Sequence, residues 1–397
     1  MITYAELRKE VQNMDKIPGC VKIERPLVIN ESFPGQFNLS FTEQPWLDEY
    51  GANYLNFDHD FVFSTIPSCI RYSDLFDEKT KASNLVGNNA WKYLGVFEMA
   101  DLAGMATYKG IHDIFSLQKK QAENLINLLE NYGIKKEQIF PTYQPLRKLS
   151  EIPQKRKEDF PFDFIIPEDE IGKQVFLDLG IPEKNIIEDY SGATLLRLYL
   201  SKRTPNGLRK IPSPWGYRNE ININLGTKQK PKLIDIGTLE RMVYKPIIVK
   251  EKIIGLSEIN DTVSIGALGL ERICMVVNRL SRVQDIDSIK PFYQSMPKVH
   301  KPVLIGEYLR ALHFICTDLP TAKEKYNFTF DKHKKTRRRF NKIRGTILNS
   351  DLTIRQIKNL LIINSENQPW HPELKEGIEL TVGSLEKYKS ILNYNKN

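Results

Sequence analysis

Two segments near the middle of the chain carry residue types suited to nucleotide chemistry. Asp235 and Glu240 lie on a predicted strand, and about 25 residues later a glycine-bracketed Leu-Glu-Arg, ending in Arg272, opens a predicted helix. Carboxylates bind Mg²⁺ together with substrate phosphates, and an arginine can pair with a phosphate or stack on a base. The pattern predicts a triphosphate and metal site. Local spacing leaves two alternatives open: one of the two carboxylates faces solvent, and Arg272 forms a salt bridge at the start of the helix.

A second pair of segments carries an arginine, an aromatic ring and a carboxylate. Arg71 follows a short apolar strand, and after a polar loop a further strand contains Phe97-Glu98-Met99. A hairpin of this kind can bind a nucleotide. Arg71 would pair with a phosphate through its planar fork, Phe97 would stack on the base, and Glu98 would accept from an exocyclic amine. The alternative is a surface hairpin with a structural Arg–Glu pair.

The basic residues are concentrated in one segment. Eight of the thirteen residues from Lys332 to Arg344 are Lys or Arg, and none is acidic. Phe340 and Ile343 recur at helical spacing, which predicts a helix with one anchored face and a positive remainder. A solvated helix face is one interpretation. The other is contact with a nucleic-acid backbone, through Lys334, Lys335, Arg337, Arg338, Arg339 and Arg344.

Composition restricts the class of protein. The 397 residues have a net charge of +8, which is compatible with an anionic partner. The four cysteines contain no CxxC pair, so we expect neither a disulfide framework nor a zinc site. The sequence contains no GxxxxGK[ST], GxGxxG or HExxH motif. It has no signal peptide and no apolar run long enough to span a membrane, so we expect a cytoplasmic protein without a membrane partner.

The order of predicted elements indicates the fold class. Strands and helices mix up to about residue 290, residues 220–277 read as antiparallel strands that lead into a helix, and the pattern is helical thereafter. This order predicts an α+β protein. We expect a sheet domain over residues 1–290 and an all-α, basic domain over residues 291–397.

Taken in order, these segments resemble the N-terminal half of alanyl-tRNA synthetases. The similarity runs from about residue 60 to 392 and is carried by short, collinear motifs. They are Cys69-Ile70-Arg71, Phe97-Glu98-Met99, Pro214-Trp215-Gly216-Tyr217-Arg218-Asn219-Glu220-Ile221, Gly266–Arg272, Gly306–Ala311, Arg337–Arg344 and His371–Glu376. The family's editing and C-terminal domains have no counterpart in this sequence.

The resemblance implies a class II synthetase-type antiparallel sheet flanked by helices, which adenylates an amino acid with ATP and Mg²⁺. It implies that Arg71 holds the α-phosphate and that Phe97 and Arg272 flank the adenine. Glu98, Met99 and Gly269 complete the implied ATP site. The helical domain would bind the acceptor stem of a tRNA.

The substrate pocket departs from the family pattern. The aspartate that receives the substrate ammonium falls on Ile265, the tryptophan above the substrate methyl falls on Val175, and an asparagine falls on Thr238. Glu240 is a possible replacement partner for the ammonium, and Val175 favours a larger side chain than that of alanine. The other residues that we assign to this pocket are Glu220 and Gly266.

Two functions from different classes fit this pattern. The first is an adenylating ligase with an altered amino acid or carboxylate substrate, which transfers it to tRNA, to a small amine or to a carrier protein. The alternative is a non-catalytic RNA-binding or regulatory paralogue of a synthetase. The side chain activated, the acceptor and the oligomeric state do not follow from the sequence.

Overall fold

A computed structural model describes most of the chain. The described residues are 1–14, 20–22, 27–29, 61–76, 82–107, 114–148, 151, 165–191, 194–197, 201–204, 207–210, 214–227, 229–250 and 252–394. No described helix is both long enough and apolar enough to cross a membrane.

A ten-stranded sheet forms the centre of the N-terminal part. Its main path runs β1-β2-β4-β14-β13-β12-β5-β8, with β3 paired to β4 and β9 paired to β12. The β1–β2 and β5–β8 pairs are parallel, and the others are antiparallel. The strands of this sheet are β1 (Val21–Lys22), β2 (Phe61–Thr65), β3 (Ser68–Cys69), β4 (Phe97–Thr107), β5 (Ile139–Tyr143), β8 (Ile187–Glu188), β9 (Leu195–Arg197), β12 (Trp215–Asn224), β13 (Leu233–Val249) and β14 (Lys252–Gly269). Two small hairpins pair β6 (Arg147–Lys148) with β7 (Ile165–Ile166) and β10 (Ser201–Thr204) with β11 (Gly207–Lys210).

Helices accompany the sheet and follow it. Within the N-terminal part these are α1 (Tyr4–Met14), α2 (Tyr72–Leu75), α3 (Ile114–Asn131), α4 (Glu170–Asp178) and α5 (Leu270–Val277). Between Lys290 and Tyr394 the structure contains α-helices and no strands. They are α6 (Lys290–Gln294), α7 (Pro302–Tyr326), α8 (Lys334–Leu348), α9 (Ile354–Glu366) and α10 (Leu374–Tyr394). The predicted α+β class, with a mainly antiparallel sheet followed by a helical region, is confirmed.

Two hydrophobic cores meet near the predicted domain boundary. The first packs α1, α3, α4 and α5 against one face of the sheet and includes residues up to Ile289. The second joins the C-terminal helices, from Phe292 onward, to Ile70, Tyr72, Leu75 and Val96 of the N-terminal part. Core membership therefore changes at about residue 290, but the helical region shares its core with the segments around α2 and the start of β4. The division at residue 290 remains a prediction.

A β-bulge sets which residues of β13 face away from the first core. Asn222 of β12 pairs with Asp235, whereas the preceding Ile221 pairs with Gly237, so Ile236 is an extra residue. Such a bulge changes the alternation of the strand. Ile234, Ile236 and Leu239 lie in the core, and Asp235, Thr238 and Glu240 share the opposite face.

Candidate adenylation site

A cleft on this opposite face collects residues from four separate segments. It contains about 600 Å³ of open space, part of it continuous with solvent. The residues that sequence reasoning named and that line it are Arg71, Phe97, Met99, Asp235, Thr238, Gly269 and Arg272. The structure therefore brings these seven residues together, but not Glu98 or Glu240.

Pairing of β3 with β4 brings Arg71 to Phe97. Cys69 pairs with Phe97 across the two strands, and Arg71 follows at the start of α2. The Arg71 guanidinium carbon lies 5.6 Å from the centre of the Phe97 ring. Its nearest charged partner is Asp74, at 3.7 Å, and 39% of the Arg71 side chain is exposed. This arginine retains most of its capacity to bind an anion.

Arg272 enters the cleft from the first turn of α5. Its Nη1 donates to the backbone carbonyl of Asp235 at 3.0 Å and also to the Asp235 carboxylate, and its Nε donates to the Lys92 carbonyl at 3.1 Å. The guanidinium carbon lies 5.5 Å from the centre of the Tyr93 ring. These contacts fix the plane of the guanidinium.

The floor of the cleft is bare backbone at Gly237. A Cβ on this residue would lie 2.6 Å from the Ala267 carbonyl oxygen, so no larger residue fits without moving β14.

Some predicted residues lie away from the cleft. Val175 is completely buried in the core on α4, so the argument for a larger substrate loses its basis. Gly266 faces Gln121 of α3, on the helix-covered face of the sheet. The Glu98 carboxylate lies among Tyr4, Arg8 and His371, because it points to the side of β4 opposite Phe97 and Met99.

The predicted substrate residues Glu240, Ile265 and Glu220 surround Thr238. Glu240 is paired with Ile265 across β13 and β14, and its carboxylate accepts from Arg218 Nε at 2.9 Å. Glu220 lies opposite Thr238. Burial and the charge of Asp235 raise the pKa of Glu220, and Arg218 partly offsets this effect. The Glu240 carboxylate is thus paired with Arg218, whereas a cationic ligand would stabilise the charged form of Glu220.

Several cleft residues were missed by sequence reasoning. Lys92, Asp74 and Glu271 line the cleft. Burial raises the pKa of the Glu271 carboxyl to about 8, and the charge of Glu98 adds to this effect. The position of Glu271 between Leu270 and Arg272 was the available signal, whereas nothing in the local pattern singled out Lys92.

The described carboxylates of the cleft do not form a metal-binding cluster. In the described ranges no group of three or more His, Cys, Asp or Glu side chains could hold a metal ion. Mg²⁺ bound with a nucleotide needs only one or two protein carboxylates, since phosphates and water complete its shell. Asp235 and Glu240 are each paired with an arginine, Arg272 and Arg218, but 42% of the Asp235 side chain is exposed against 11% of the Glu240 side chain. Asp235 is therefore the more accessible carboxylate.

The basic helix α8 packs beside the cleft. The Arg339 guanidinium carbon lies 4.4 Å from the centre of the Tyr72 ring, and Lys342 Nζ lies 3.9 Å from that of Phe76. Tyr72 begins α2, the helix that follows Arg71, and Phe76 directly follows that helix. The positive face of α8 and the end of the cleft that contains Arg71 are therefore neighbours.

The six predicted RNA-binding residues of α8 have different surroundings. Lys334, Lys335, Arg337 and Arg338 are exposed, and Arg337 pairs with Asp331 at 2.9 Å. Arg344 is enclosed between the rings of Phe340 and Tyr388, donates to the Ser384 carbonyl and has a pKa lowered by burial. Arg344 thus stabilises the helical region, while exposed Lys342 is a basic residue that we had not assigned.

Comparison with known proteins adds little to this geometry. No protein-family model matches the chain, and no curated protein matches its sequence. Two solved structures of pyrrolysyl-tRNA synthetase from Desulfitobacterium hafniense are similar to it over 71% of this chain, at 13% and 14% identity, and cover 71% and 72% of their own chains. Their TM-scores are 0.25 and 0.26, which is too low to carry an argument. The assignment therefore depends on this chain's own residues.

Proposed function

We propose that this protein is an ATP-dependent ligase of class II synthetase type, which activates an amino acid as its adenylate. The observation that carries the proposal is the convergence of Arg71, Phe97, Asp235 and Arg272 in one cleft. An aromatic ring, two guanidinium groups and a carboxylate around one groove suit a nucleoside triphosphate with its metal.

The roles of Arg71, Phe97 and Arg272 are those that the resemblance to alanyl-tRNA synthetases implies. ATP supplies the phosphorus that the substrate carboxylate attacks and the pyrophosphate that leaves. Arg71 stabilises charge on the α-phosphate, and Phe97 and Arg272 hold the adenine between them. Adenylation needs no protein nucleophile, because orientation and electrostatic stabilisation supply the acceleration. Asp235 is the residue that would hold Mg²⁺.

Glu220 is the best candidate for recognition of the substrate ammonium. The family's aspartate is replaced by Ile265, and Glu240 already pairs with Arg218. Glu220 lies on the same sheet face, opposite Thr238, and no described residue donates a hydrogen bond to its carboxylate. An ammonium group would offset the burial that raises its pKa. We therefore assign the amine contact to Glu220 instead of Glu240.

The acceptor is proposed from the position of α8. The exposed Lys334, Lys335 and Arg338 lie on the helix that packs against α2, so an RNA bound along α8 would lead its end toward Arg71. This arrangement favours the acceptor stem of a tRNA over a small amine or a carrier protein.

The test is ATP–pyrophosphate exchange over a panel of amino acids and amino-free carboxylates, together with Glu220→Gln. We expect exchange with an amino acid in the wild type and a selective rise in KM for that amino acid in the variant. Exchange with a carboxylate that lacks an amine would overturn the Glu220 assignment. Absence of both exchange and ATP binding, with RNA still bound, would favour the non-catalytic paralogue.

A further inference from the structure

The helical region contacts the chain around the start of strand β4 at two points, on either side of Phe97. Strand β4 begins at Phe97, which lines the cleft. Gly95, just before it, and Glu98, just after it, are each contacted by a buried side chain from beyond residue 290. Phe97 is thus bracketed by two contacts that originate outside the sheet.

The first contact is made by His371, in the segment between α9 and α10. Its Nε2 lies 3.1 Å from Glu98 Oε1 and 3.2 Å from Ser68 Oγ, and its Nδ1 lies 3.0 Å from Glu373 Oε1. The His371 side chain has no exposed surface. It therefore joins β3 and β4, the two strands that hold Arg71 and Phe97, to the helical region.

Glu98 also receives bonds from the N-terminal helix. Tyr4 donates its hydroxyl to Glu98 at 3.0 Å, and Arg8 donates through Nε at 3.0 Å and Nη2 at 3.1 Å. With His371, these donors satisfy both carboxylate oxygens. Burial alone would raise the pKa of Glu98, but the hydrogen bond and charge of His371, with Arg8, hold it below the ordinary value. The carboxylate is thus an ionised attachment point that joins α1 and the segment of His371 to β4.

The second contact is made by Glu307 of α7. Its Oε2 accepts from the Gly95 N–H at 2.7 Å, while Tyr293 and Arg310 hold the same carboxylate in place. A Cβ at Gly95 would lie 2.4 Å from the Glu307 carbonyl oxygen. The chain just before Phe97 thus passes directly against the backbone of α7, which leaves it little freedom to shift.

We propose that His371 and Glu307 are positioning residues for the nucleotide cleft, which hold Phe97 at its place through Glu98 and Gly95. The helical region then serves ATP binding as well as RNA binding. This proposal rests on the proposed adenylation function. Its physical basis is that buried, charged hydrogen bonds fix a strand end that the sheet alone holds from one side.

The experiment compares two buried histidines of the helical region. His313 is also fully buried, and it bonds to the Leu374 carbonyl and to Asn364, neither of which belongs to the sheet. The variants are His371→Ala, His371→Gln, whose amide nitrogen can replace Nε2, and His313→Ala as the matched control. Glu373→Gln is the mildest change, because it alters only the partly exposed partner of His371 Nδ1. Two quantities are measured: KM and kcat in pyrophosphate exchange at varied ATP, and hydrogen–deuterium exchange of the amides from Val96 to Met99.

For His371→Ala we expect KM for ATP to rise about tenfold, the size of a lost charged hydrogen bond, with kcat changed less. Amide exchange at Val96–Met99 should accelerate beyond that of the other β4 amides. His371→Gln should recover most of both effects, Glu373→Gln should give a smaller shift, and His313→Ala should lower the melting temperature without changing KM for ATP.

Two results would overturn the proposal. The first is a KM for ATP and an amide exchange at Val96–Met99 that stay at wild-type values in His371→Ala. The second is an equal rise in KM for ATP in His371→Ala and His313→Ala, since that indicates general destabilisation. If the wild type neither binds ATP nor supports exchange, the proposed function fails. Accelerated amide exchange confined to His371→Ala would then still show that His371 anchors the strand.

Discussion

The cleft and the junction between the sheet and the helical region both contain clustered charges, but they use them differently. Arg71 in the cleft is more than one-third exposed, and its nearest carboxylate is 3.7 Å away. At the junction, Arg310 and Glu307 have almost no exposed surface and are joined at 2.8 Å. Arg71 is left incompletely matched on an accessible surface, whereas the Arg310–Glu307 pair is matched inside the protein.

The difference separates binding from positioning. An exposed cation with a distant partner is available to a ligand, whereas a buried ion pair is neutralised by its surroundings and resists change. The local sequence pattern did not separate these cases for Phe97 and Glu98, which are adjacent on β4. Strand alternation sends the first to the cleft and the second to the junction.

The largest effect that would test this comparison is on stability. Glu307→Ala leaves Arg310 buried without its carboxylate and removes the acceptor for Gly95, so we expect the free energy of unfolding to fall by about 3–5 kcal/mol. Arg71→Ala should change it by less than about 1 kcal/mol, because its pair is exposed. Urea unfolding of both variants checks this, and equal losses would remove the distinction.

The next effect is on activity. Arg272→Ala removes a cation from the cleft, and we expect adenylation to slow by about 10²–10³-fold at temperatures where the variant is fully folded. Arg282→Ala is the control, since Arg282 pairs with Asp285 on an exposed turn. A wild-type exchange rate in Arg272→Ala would exclude this residue from the site.

A third effect concerns pH, through Glu271 beneath the cleft. Its pKa in the folded protein is about 8, above the value of about 4.3 for an unfolded glutamate. A raised pKa gives stability that is fully present below the unfolded value and is lost as pH rises through about 8. We expect the wild type to lose about 2 kcal/mol between pH 6 and 8 relative to Glu271→Gln. Denaturant midpoints over this range measure the difference, and parallel curves would contradict it.

The smallest effect distinguishes two kinds of arginine on α8. Arg338→Ala should reduce the slope of log K for RNA binding against log salt by roughly 0.7–0.9 and leave adenylation unchanged. Arg344→Ala should keep that slope but lower the melting temperature, because Arg344 packs between Phe340 and Tyr388. RNA-binding titrations at several salt concentrations test both, and exposed Lys387 on α10 provides the control substitution.

Much of the fold was accessible from the sequence, because long periodic segments record which face of each element is buried. The antiparallel strands predicted for residues 220–277 and the helix that they lead into are found as β12, β13, β14 and α5, and the basic segment forms α8. The predicted strand that contains Phe97, Glu98 and Met99 begins at Phe97, because the preceding residues form a short 3₁₀ turn and an extended connection that packs on α7.

The sequence by itself determined which residue types were available for nucleotide chemistry and their order along the chain. It could not determine which of them would meet. Only the tertiary structure showed that a bulge at Ile236 places Asp235, Thr238 and Glu240 on one face. It also showed that Arg218 forms an ion pair with Glu240. Finally, it placed His371 3.1 Å from Glu98, although 273 positions of sequence separate the two residues. Spacing along a chain records local periodicity, whereas side chains so far apart are brought together by the packing of whole elements, which no local pattern encodes.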